Sequence, residues 1–317
     1  MGSPIDFLIG AAAPSDYRRR HPWDGTPSFR LAGIKSVSIN ELTRRDALLA
    51  GLLAAMSASG GRAQAQSDVP TEKAHSHRMP TSWQRSDKVA MLCYPGMTIL
   101  DLIGPQYMFA SLLGATVQLV GKTRDPTTSD TGVTIIPDAT FADVPRDLTV
   151  LFVPGGTTGT LAAIKDDETR NFVADRGSRS RYVTSVCTGA LVLGAAGLLR
   201  GYRATTHWSV LPTLADVGAT PVSERVVQDR NRVTGAGVTA GLDFGLAMVA
   251  ELRDPVYAQA VQLGCEYDPA PPFASGSLRT APAEVRGIME SIYASFPGRV
   301  RETLQSIGGS SSHAKAP

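Results

Sequence analysis

The chain has 317 residues, 43% of them hydrophobic and 19% charged, which is the composition of a globular protein with a sizeable core. Loss of residues 1–65 would leave 23 basic and 24 acidic residues, a net charge of about −1. A charge so close to zero gives no support to nucleic-acid binding or to attraction by anionic lipids.

The N-terminal quarter has the pattern of an export signal. Arg44-Arg45 stands directly before the short apolar run Ala47–Met56, and Ala63–Ala65 has the small residues of a cleavage site. The run is too short to cross a bilayer core of roughly 30 Å, so we expect no permanent membrane span. We predict a leader with a twin-arginine-type signal over residues 1–65, a protein handled by the twin-arginine export machinery, and a periplasmic or secreted location. A buried N-terminal helix is the alternative.

Two segments without periodicity flank the main body. Residues 66–87 are rich in polar residues and His, contain Pro70 and Pro80, and predict a tether. Residues 308–317 are small and polar and predict a disordered tail. One domain over residues 88–307 remains between them.

Within that domain, apolar runs alternate with helical stretches. Short β-branched runs bounded by turns predict strands at Lys88–Tyr94, Val117–Val120, Thr134–Pro137, Leu148–Val153 and Tyr182–Val186, and a β pair at Val222–Gln228 and Arg232–Thr234. Helices are predicted from about Thr98 to Leu113, from Asp167 onward, after Cys187 to about Leu199, and at Val210–Asp216, Gly241–Leu252, Pro255–Leu263 and Ala283–Ile307. This alternation predicts an α/β fold with a mostly parallel sheet between helices.

Cys187 lies at the predicted corner between a buried strand and a buried helix. The strand Tyr182–Val186 is β-branched, and Gly189–Gly197 is rich in Ala, Leu and Gly. Because free N–H groups at a helix start stabilise a thiolate, we expect a lowered pKa for Cys187 and a nucleophile that needs no metal. Gly189 allows a close approach, as in a nucleophile elbow. The alternative is that Cys187 only packs in the core.

The other two cysteines are Cys93 and Cys265. The sequence has no CxxC pair and no Cys/His ligand cluster, so we expect no zinc site. Cys93 and Cys265 could pair in an oxidising compartment, but Cys93 lies in an apolar strand and fits a core position better.

Several stretches together resemble the DJ-1/PfpI superfamily and, more closely, the isonitrile hydratases. They are Leu100–Pro105, Val153–Gly156, Tyr182–Gly189, Arg203–Trp208 and Glu266–Phe273. The likeness runs from about Lys88 to about Ala283. It implies a flavodoxin-like three-layer sandwich with a cysteine nucleophile elbow, a homodimer, no cofactor, and hydration of an isonitrile R–N≡C to an N-substituted formamide.

The resemblance also assigns roles to residues. It makes Cys187 the nucleophile, Asp101 the acid/base and Thr188 the assisting neighbour. Many peptidase-like members of the wider superfamily have His directly after the cysteine, so Thr188 counts against a Cys-His protease.

The chemistry itself gives Asp101 a role. Attack of a thiolate on an isonitrile carbon leaves carbanion character there, so a proton donor must lie close by. Asp101 follows the first strand, near the edge where parallel sheets bind ligands, and could protonate this carbon and then activate water against the thioimidate. The N–H groups of Gly156 and Thr188 could hold developing charge. The alternatives are a helix cap for Asp101 and a tight turn at Gly155-Gly156.

Other polar and aromatic residues carry weaker signals. His207 could contact the thiolate, but we expect it to satisfy a buried loop. Trp208, Tyr107 and Phe109 are candidate walls for an apolar R group or simply core residues. We expect Asp243 to be a helix cap or an interface residue, not a catalyst.

Three other functions remain open. One is glyoxalase-like hydration of an α-oxoaldehyde, and another is a redox-sensing thiol at Cys187. The third is a ligand sensor, because related domains are fused to AraC-type regulators. Such a fusion needs roughly 100 more residues for its helix-turn-helix domain, which the stretch after Ala283 is too short to supply.

Overall fold

The computed structural model describes residues 79–310. The predicted export signal, most of the tether and most of the tail lie outside these residues. The strands are, in chain order, β1 Lys88–Leu92, β2 Thr116–Gly121, β3 Thr127–Thr128, β4 Thr134–Ile135, β5 Ala139–Thr140, β6 Val150–Val153, β7 Tyr182–Val186, β8 Arg203–Ala204, β9 Thr220–Pro221, β10 Val226–Asp229 and β11 Arg232–Gly235.

The main sheet has the strand order β10-β11-β7-β6-β1-β2-β5. Neighbouring strands run parallel except for the edge pair β10 and β11, which is antiparallel. The short pairs β3–β4 and β8–β9 lie outside this sheet. The predicted mostly parallel α/β sheet is therefore confirmed.

Helices cover this sheet in two groups. They are α1 Ile99–Ala110, α2 Thr158–Lys165, α3 Asp167–Arg179, α4 Gly189–Ala195, α5 Ala240–Leu252, α6 Pro255–Gly264, α7 Ala283–Tyr293 and α8 Phe296–Ser310, with a 3-10 helix at Trp208–Val217. One group consists of α1, α5 and α6, and the other consists of α2, α3, α4, the 3-10 helix and α8. The result is the three-layer sandwich that the sequence predicts.

Proline accounts for two of the differences from the predicted helices. The segment predicted as a helix at Val210–Asp216 is a 3-10 helix, and Pro212 inside it cannot donate a backbone hydrogen bond. The last predicted helix divides into α7 and α8, and Pro297 occupies the second position of α8, where its missing N–H is tolerated. α8 also continues to Ser310, past the predicted end at Ile307.

A further helix, α2, was not predicted. It has only eight residues, and its sequence Thr-Gly-Thr-Leu-Ala-Ala-Ile-Lys contains two β-branched threonines and a glycine. These residue types weaken a helical signal, and packing of Leu161 and Ile164 in the core outweighs it.

The tether was predicted to extend to residue 87, but residues 83–87 pack on the domain. The indole N–H of Trp83 donates to Asp254 at 2.7 Å, and its ring lies 4.9 Å from that of Tyr257 in an edge-to-face contact. Asp87 is buried and accepts a hydrogen bond of 2.5 Å from Arg253. Sequence periodicity cannot reveal these contacts, since their partners lie more than 160 residues away along the chain.

Among residues 79–310, no helix combines the length and the apolar character needed to cross a membrane.

Replacement of Arg253 by Ala should destabilise the domain by about 3–5 kcal/mol, because it leaves the buried carboxylate of Asp87 without its partner. The Arg253 side chain has no exposed surface and also donates to the carbonyl oxygens of Trp83 and Leu113. The measurement is chemical denaturation of both proteins.

The matched control is Arg301→Ala, which breaks an exposed ion pair with Asp216 at 3.0 Å. Exposed pairs contribute only about 0–1 kcal/mol, so this variant should unfold close to wild type. Equal losses in the two variants would contradict the importance of the buried pair.

Candidate active site

The candidate site lies where three neighbouring strands end. β1, β6 and β7 are adjacent and parallel, so their carboxyl ends lie side by side. Asp101 lies in α1, which follows β1; Gly155 follows β6; Cys187 follows β7. The strand order changes direction between β1 and β6, and such a switch point is where open α/β sheets form ligand crevices.

Cys187 has a left-handed backbone conformation, with φ of +56°. This region is unfavourable for a residue with a Cβ and is retained only where surrounding contacts hold it. The Cys187 N–H donates to the carbonyl oxygen of Gly235 at 3.1 Å, and its own carbonyl accepts from the Thr206 hydroxyl at 2.7 Å. The predicted sharp turn from strand to helix is therefore present.

Gly189, two residues beyond the cysteine, must lack a side chain. A Cβ at this position would lie 2.2 Å from the carbonyl oxygen of Val153 and 2.7 Å from that of Pro154. The first turn of α4 can thus pack directly against the end of β6, which brings Cys187 close to the loop after that strand.

Asp101 is fully buried in the first turn of α1. Its Oδ2 accepts the Gly155 N–H at 3.1 Å, whereas its Oδ1 has no hydrogen-bond partner of normal geometry among the described residues. Thr98 occupies the N-cap position, so the alternative that Asp101 caps the helix is wrong. Burial raises the pKa of Asp101 to about 7, although hydrogen bonding from Cys187 and from Gly155 opposes this rise.

Cys187 and Asp101 influence each other's protonation directly. Burial and the negative charge of Asp101 raise the pKa of Cys187 well above its usual value, while the backbone N–H of Thr188 lowers it. The predicted low pKa of Cys187 is therefore wrong, because one helix-start donor is outweighed by desolvation and a nearby carboxylate. Since both groups resist ionisation, they keep a proton between them near neutral pH.

Thr188 ties the elbow to the glycine turn. Its hydroxyl donates to the Gly156 carbonyl at 2.7 Å and accepts the Gly156 N–H at 2.9 Å. The prediction that Gly156 N–H is free to hold developing charge is therefore wrong. The hydroxyl also lies 2.8 Å from that of Thr160, a buried contact from the unpredicted α2. The backbone N–H of Thr188 lowers the pKa of the neighbouring Cys187 thiol.

Gly155 is confined by the same groups. A Cβ there would lie 2.6 Å from the Thr188 nitrogen and 2.8 Å from Asp101 Oδ2. The Gly155-Gly156 turn is consequently more than a connection after a strand, because it contacts both the acid and the residue that follows the nucleophile.

Two groups near this site were not predicted. Tyr94 is buried and donates to the Pro154 carbonyl at 2.7 Å. Asp130 accepts hydrogen bonds from the Thr98 hydroxyl at 2.7 Å and from the Ile99 N–H at 3.4 Å, and its charge contributes to the raised pKa of Asp101. Asp130 lies in a polar loop whose sequence gives no sign of its position.

His207 satisfies a buried loop, as predicted, because its Nδ1 lies 2.8 Å from the Ser209 hydroxyl. Burial lowers its pKa to about 4, so the ring is neutral at physiological pH. Its ring centroid lies 5.3 Å from those of Trp208 and Tyr293. The ring contact with Tyr293 was not predicted, since this residue lies more than 100 residues beyond the elbow.

The remaining candidates lie elsewhere. Phe109 is a core residue packed against Phe152 and Phe244. Tyr107 is exposed on α1 beside Cys265. Asp243 does not cap α5, whose N-cap is Thr239, but pairs with Arg225 and accepts a hydrogen bond from Tyr267.

The three cysteines all lie within residues 79–310, and each is a free thiol. Cys93 is buried, as its apolar strand predicts, and burial raises its pKa to about 12. The described residues contain no group of three or more His, Cys, Asp or Glu side chains suited to a metal ion.

The chain thus combines a parallel α/β sandwich, a buried cysteine at a sharp strand-to-helix turn, and a buried acid opposite that cysteine. Residues 87–251 match the DJ-1/PfpI family, and the chain belongs to this family.

Among its relatives, the chain is 50% identical to an isonitrile hydratase of Pseudomonas putida over 198 residues, which cover 62% of this chain and 86% of that protein. A THiJ/PfpI family protein from Pseudomonas syringae has a solved structure with a TM-score of 0.70 and 57% sequence identity, covering 73% of this chain and 98% of the other. Drosophila melanogaster DJ-1beta shares the fold, with a TM-score of 0.54 and 23% identity over 57% of this chain and 98% of its own.

Replacement of Asp101 by Asn should make the domain more stable above pH 7. The folded protein holds this proton up to about pH 7, whereas the unfolded chain releases it near pH 4, so wild-type stability falls as the pH rises between these values. The Asn side chain cannot ionise, so at pH 8 the free energy of unfolding of the variant should exceed that of wild type by on the order of 2–4 kcal/mol. Denaturant unfolding at pH 4 and pH 8 measures it.

Asp143→Asn is the control with the opposite sign. Hydrogen bonds from the Thr140 N–H and hydroxyl, together with Arg124, lower the pKa of the Asp143 carboxyl to about 2. Wild type should therefore be the more stable of this pair at neutral pH and should lose that advantage as the pH falls toward 2. If the stability difference between Asp101→Asn and wild type were the same at pH 4 and pH 8, the raised pKa of Asp101 would be contradicted.

Proposed function

We propose that the protein hydrates isonitriles to N-substituted formamides, with Cys187 as nucleophile and Asp101 as acid and base. Its similarity to the isonitrile hydratase of Pseudomonas putida supports this substrate class. The observation that carries the proposal is the buried pair itself, in which the thiol and the carboxyl influence each other's protonation.

The first step is a net addition of S–H to one carbon. The Cys187 sulfur bonds to the isonitrile carbon, and the proton held between Cys187 and Asp101 passes to that same carbon. The product is a thioimidate, R–N=CH–S–Cys. A freely ionised thiolate is not needed in the resting protein, because nucleophile and proton are consumed together.

The second step releases the product. Asp101, now a carboxylate, takes a proton from water as the oxygen adds to the thioimidate carbon. Protonation of nitrogen and cleavage of the C–S bond then give R–NH–CHO, and the remaining proton returns to the Cys187–Asp101 pair. Overall, one water is added to R–N≡C.

Thr188 and Gly155 hold the two reacting groups in place. The Thr188 N–H lowers the pKa of Cys187 and stabilises negative charge on the sulfur during attack and departure. The Gly155 N–H fixes one oxygen of Asp101 and leaves Oδ1 free for proton transfer.

The test is conversion of cyclohexyl isocyanide to its formamide, followed by mass spectrometry. Cys187→Ala should lower the rate by at least about 10³-fold, because the bond-forming atom is removed. Asp101→Asn should lower it by roughly 10²–10⁴-fold, as expected for loss of a general acid/base. Cys265→Ala, which removes the free thiol at the C-cap of α6, should leave the rate unchanged.

A second substrate separates the main alternative. Methylglyoxal tests glyoxalase-like hydration in the same variants. No formamide from wild type, or an undiminished rate in Cys187→Ala, would refute the proposal, and turnover of methylglyoxal alone would favour the alternative chemistry.

We further propose that the protein acts as an exported homodimer. For the dimer, the support is an apolar strip on α1, where Leu100, Ile103 and Tyr107 are each 44–47% exposed.

For export, the support is Arg44-Arg45 and the apolar run after it, which lie outside the described residues. Wild type should appear in the periplasm at the mass of a dimer, whereas the double variant Arg44→Lys, Arg45→Lys should stay in the cytoplasm. A monomeric wild type would contradict the proposed dimer. Export of the double variant would contradict the proposed twin-arginine signal.

A further inference from the structure

We infer that Tyr293 selects the R group of the substrate: with His207 and Trp208 it forms an aromatic wall beside Cys187 that favours isonitriles carrying a bulky apolar ring. This inference rests on the proposed function and names the substrate class of that same site.

The three rings form one cluster. The centroid separation is 5.3 Å for each of the pairs His207–Trp208, His207–Tyr293 and Trp208–Tyr293. Their planes meet at 39°, 49° and 79°, so the rings are tilted or edge-to-face and not stacked. All three residues are only partly buried, so the cluster keeps surface to which a further apolar group can bind.

The cluster is tied to the nucleophile through the backbone. Thr206, which precedes His207, donates its hydroxyl to the Cys187 carbonyl at 2.7 Å. A Cβ placed on Gly237 would lie 3.6 Å from His207 Cδ2, and two residues earlier Gly235 accepts the Cys187 N–H. His207 is thereby held against the loop that borders the cysteine.

Tyr293 joins the cluster from the end of α7. Burial raises the pKa of its phenol, and electrostatic interactions with Cys187 and Asp130 raise it further, so both groups lie within its electrostatic reach. α7 fully buries none of its residues, and Tyr293 is its last residue, so the ring contacts mark where this helix meets the domain. Tyr293 also lies outside residues 87–251 that match the family.

The wall is apolar in character. His207 carries no charge at neutral pH, because burial lowers its pKa to about 4. A cyclohexyl or phenyl group fits such a surface better than a methyl group does, since it buries more apolar area against the rings.

The test compares cyclohexyl isocyanide with methyl isocyanide on the full chain. Wild type should have the higher kcat/KM for the cyclohexyl compound. Tyr293→Ala should reduce the ratio of the two kcat/KM values by about tenfold, mainly through KM for the larger substrate, because the lost contact is made before and during reaction alike. Tyr293→Phe keeps the ring and should keep the ratio.

The control is Ile288→Ala, which truncates a side chain of the same helix that is 54% exposed. Its ratio should equal that of wild type, which separates loss of the ring from general loosening of α7. A ratio unchanged in Tyr293→Ala would overturn the inference and leave isonitrile hydration intact.

A binding arm separates this inference from the proposed function. Calorimetric titration of Cys187→Ala with each isocyanide measures affinity without turnover, and adding Tyr293→Ala should weaken binding of the cyclohexyl compound only. If wild type makes no formamide yet this pattern appears, hydration fails and the aromatic wall stands. If no isocyanide binds, both are overturned.

Discussion

The site depends on the burial of one carboxyl group opposite one thiol. In water, Asp101 would be an anion and Cys187 an independent thiol, and the two would titrate far apart. In the folded protein the pKa of Asp101 rises to about 7, because burial opposes its charge more strongly than Cys187 and the Gly155 N–H stabilise it. The same burial keeps Cys187 protonated, so acid and nucleophile behave as one unit with a proton to give.

The fold supplies the tight spacing on which this unit depends. Three parallel strands end side by side, and glycines at 155 and 189 allow the backbone segments to approach closer than any side chain would permit. Thr188 then closes the arrangement by exchanging two hydrogen bonds with Gly156. The packing of these elements offsets the unfavourable conformation of Cys187 and the burial of the Asp101 carboxyl.

Local sequence pattern predicted the strands and the position of Cys187. The electrostatics and hydrogen bonds of the site depend on contacts between residues that are distant in the sequence. Periodicity located the strands, and the strand-to-helix corner located Cys187, because both signals lie within a few residues. The direction of the Cys187 pKa could not be predicted from a helix start alone, since it depends on burial and on Asp101, 86 residues earlier in the chain. The N–H of Gly156 likewise seemed free until its partner Thr188 was located. Tyr293 carries no motif, and only folding brings it to His207.

The state of the three free thiols has a practical consequence for chemical labelling. Cys93 is buried and has a pKa of about 12, and Cys187 is buried beside an acid, whereas Cys265 is partly accessible to solvent. An alkylating reagent applied to the unliganded protein should therefore modify Cys265 first. The stoichiometry of such a reaction would describe a bystander residue, and only site-resolved mapping of the adduct would report on the sulfur at the elbow.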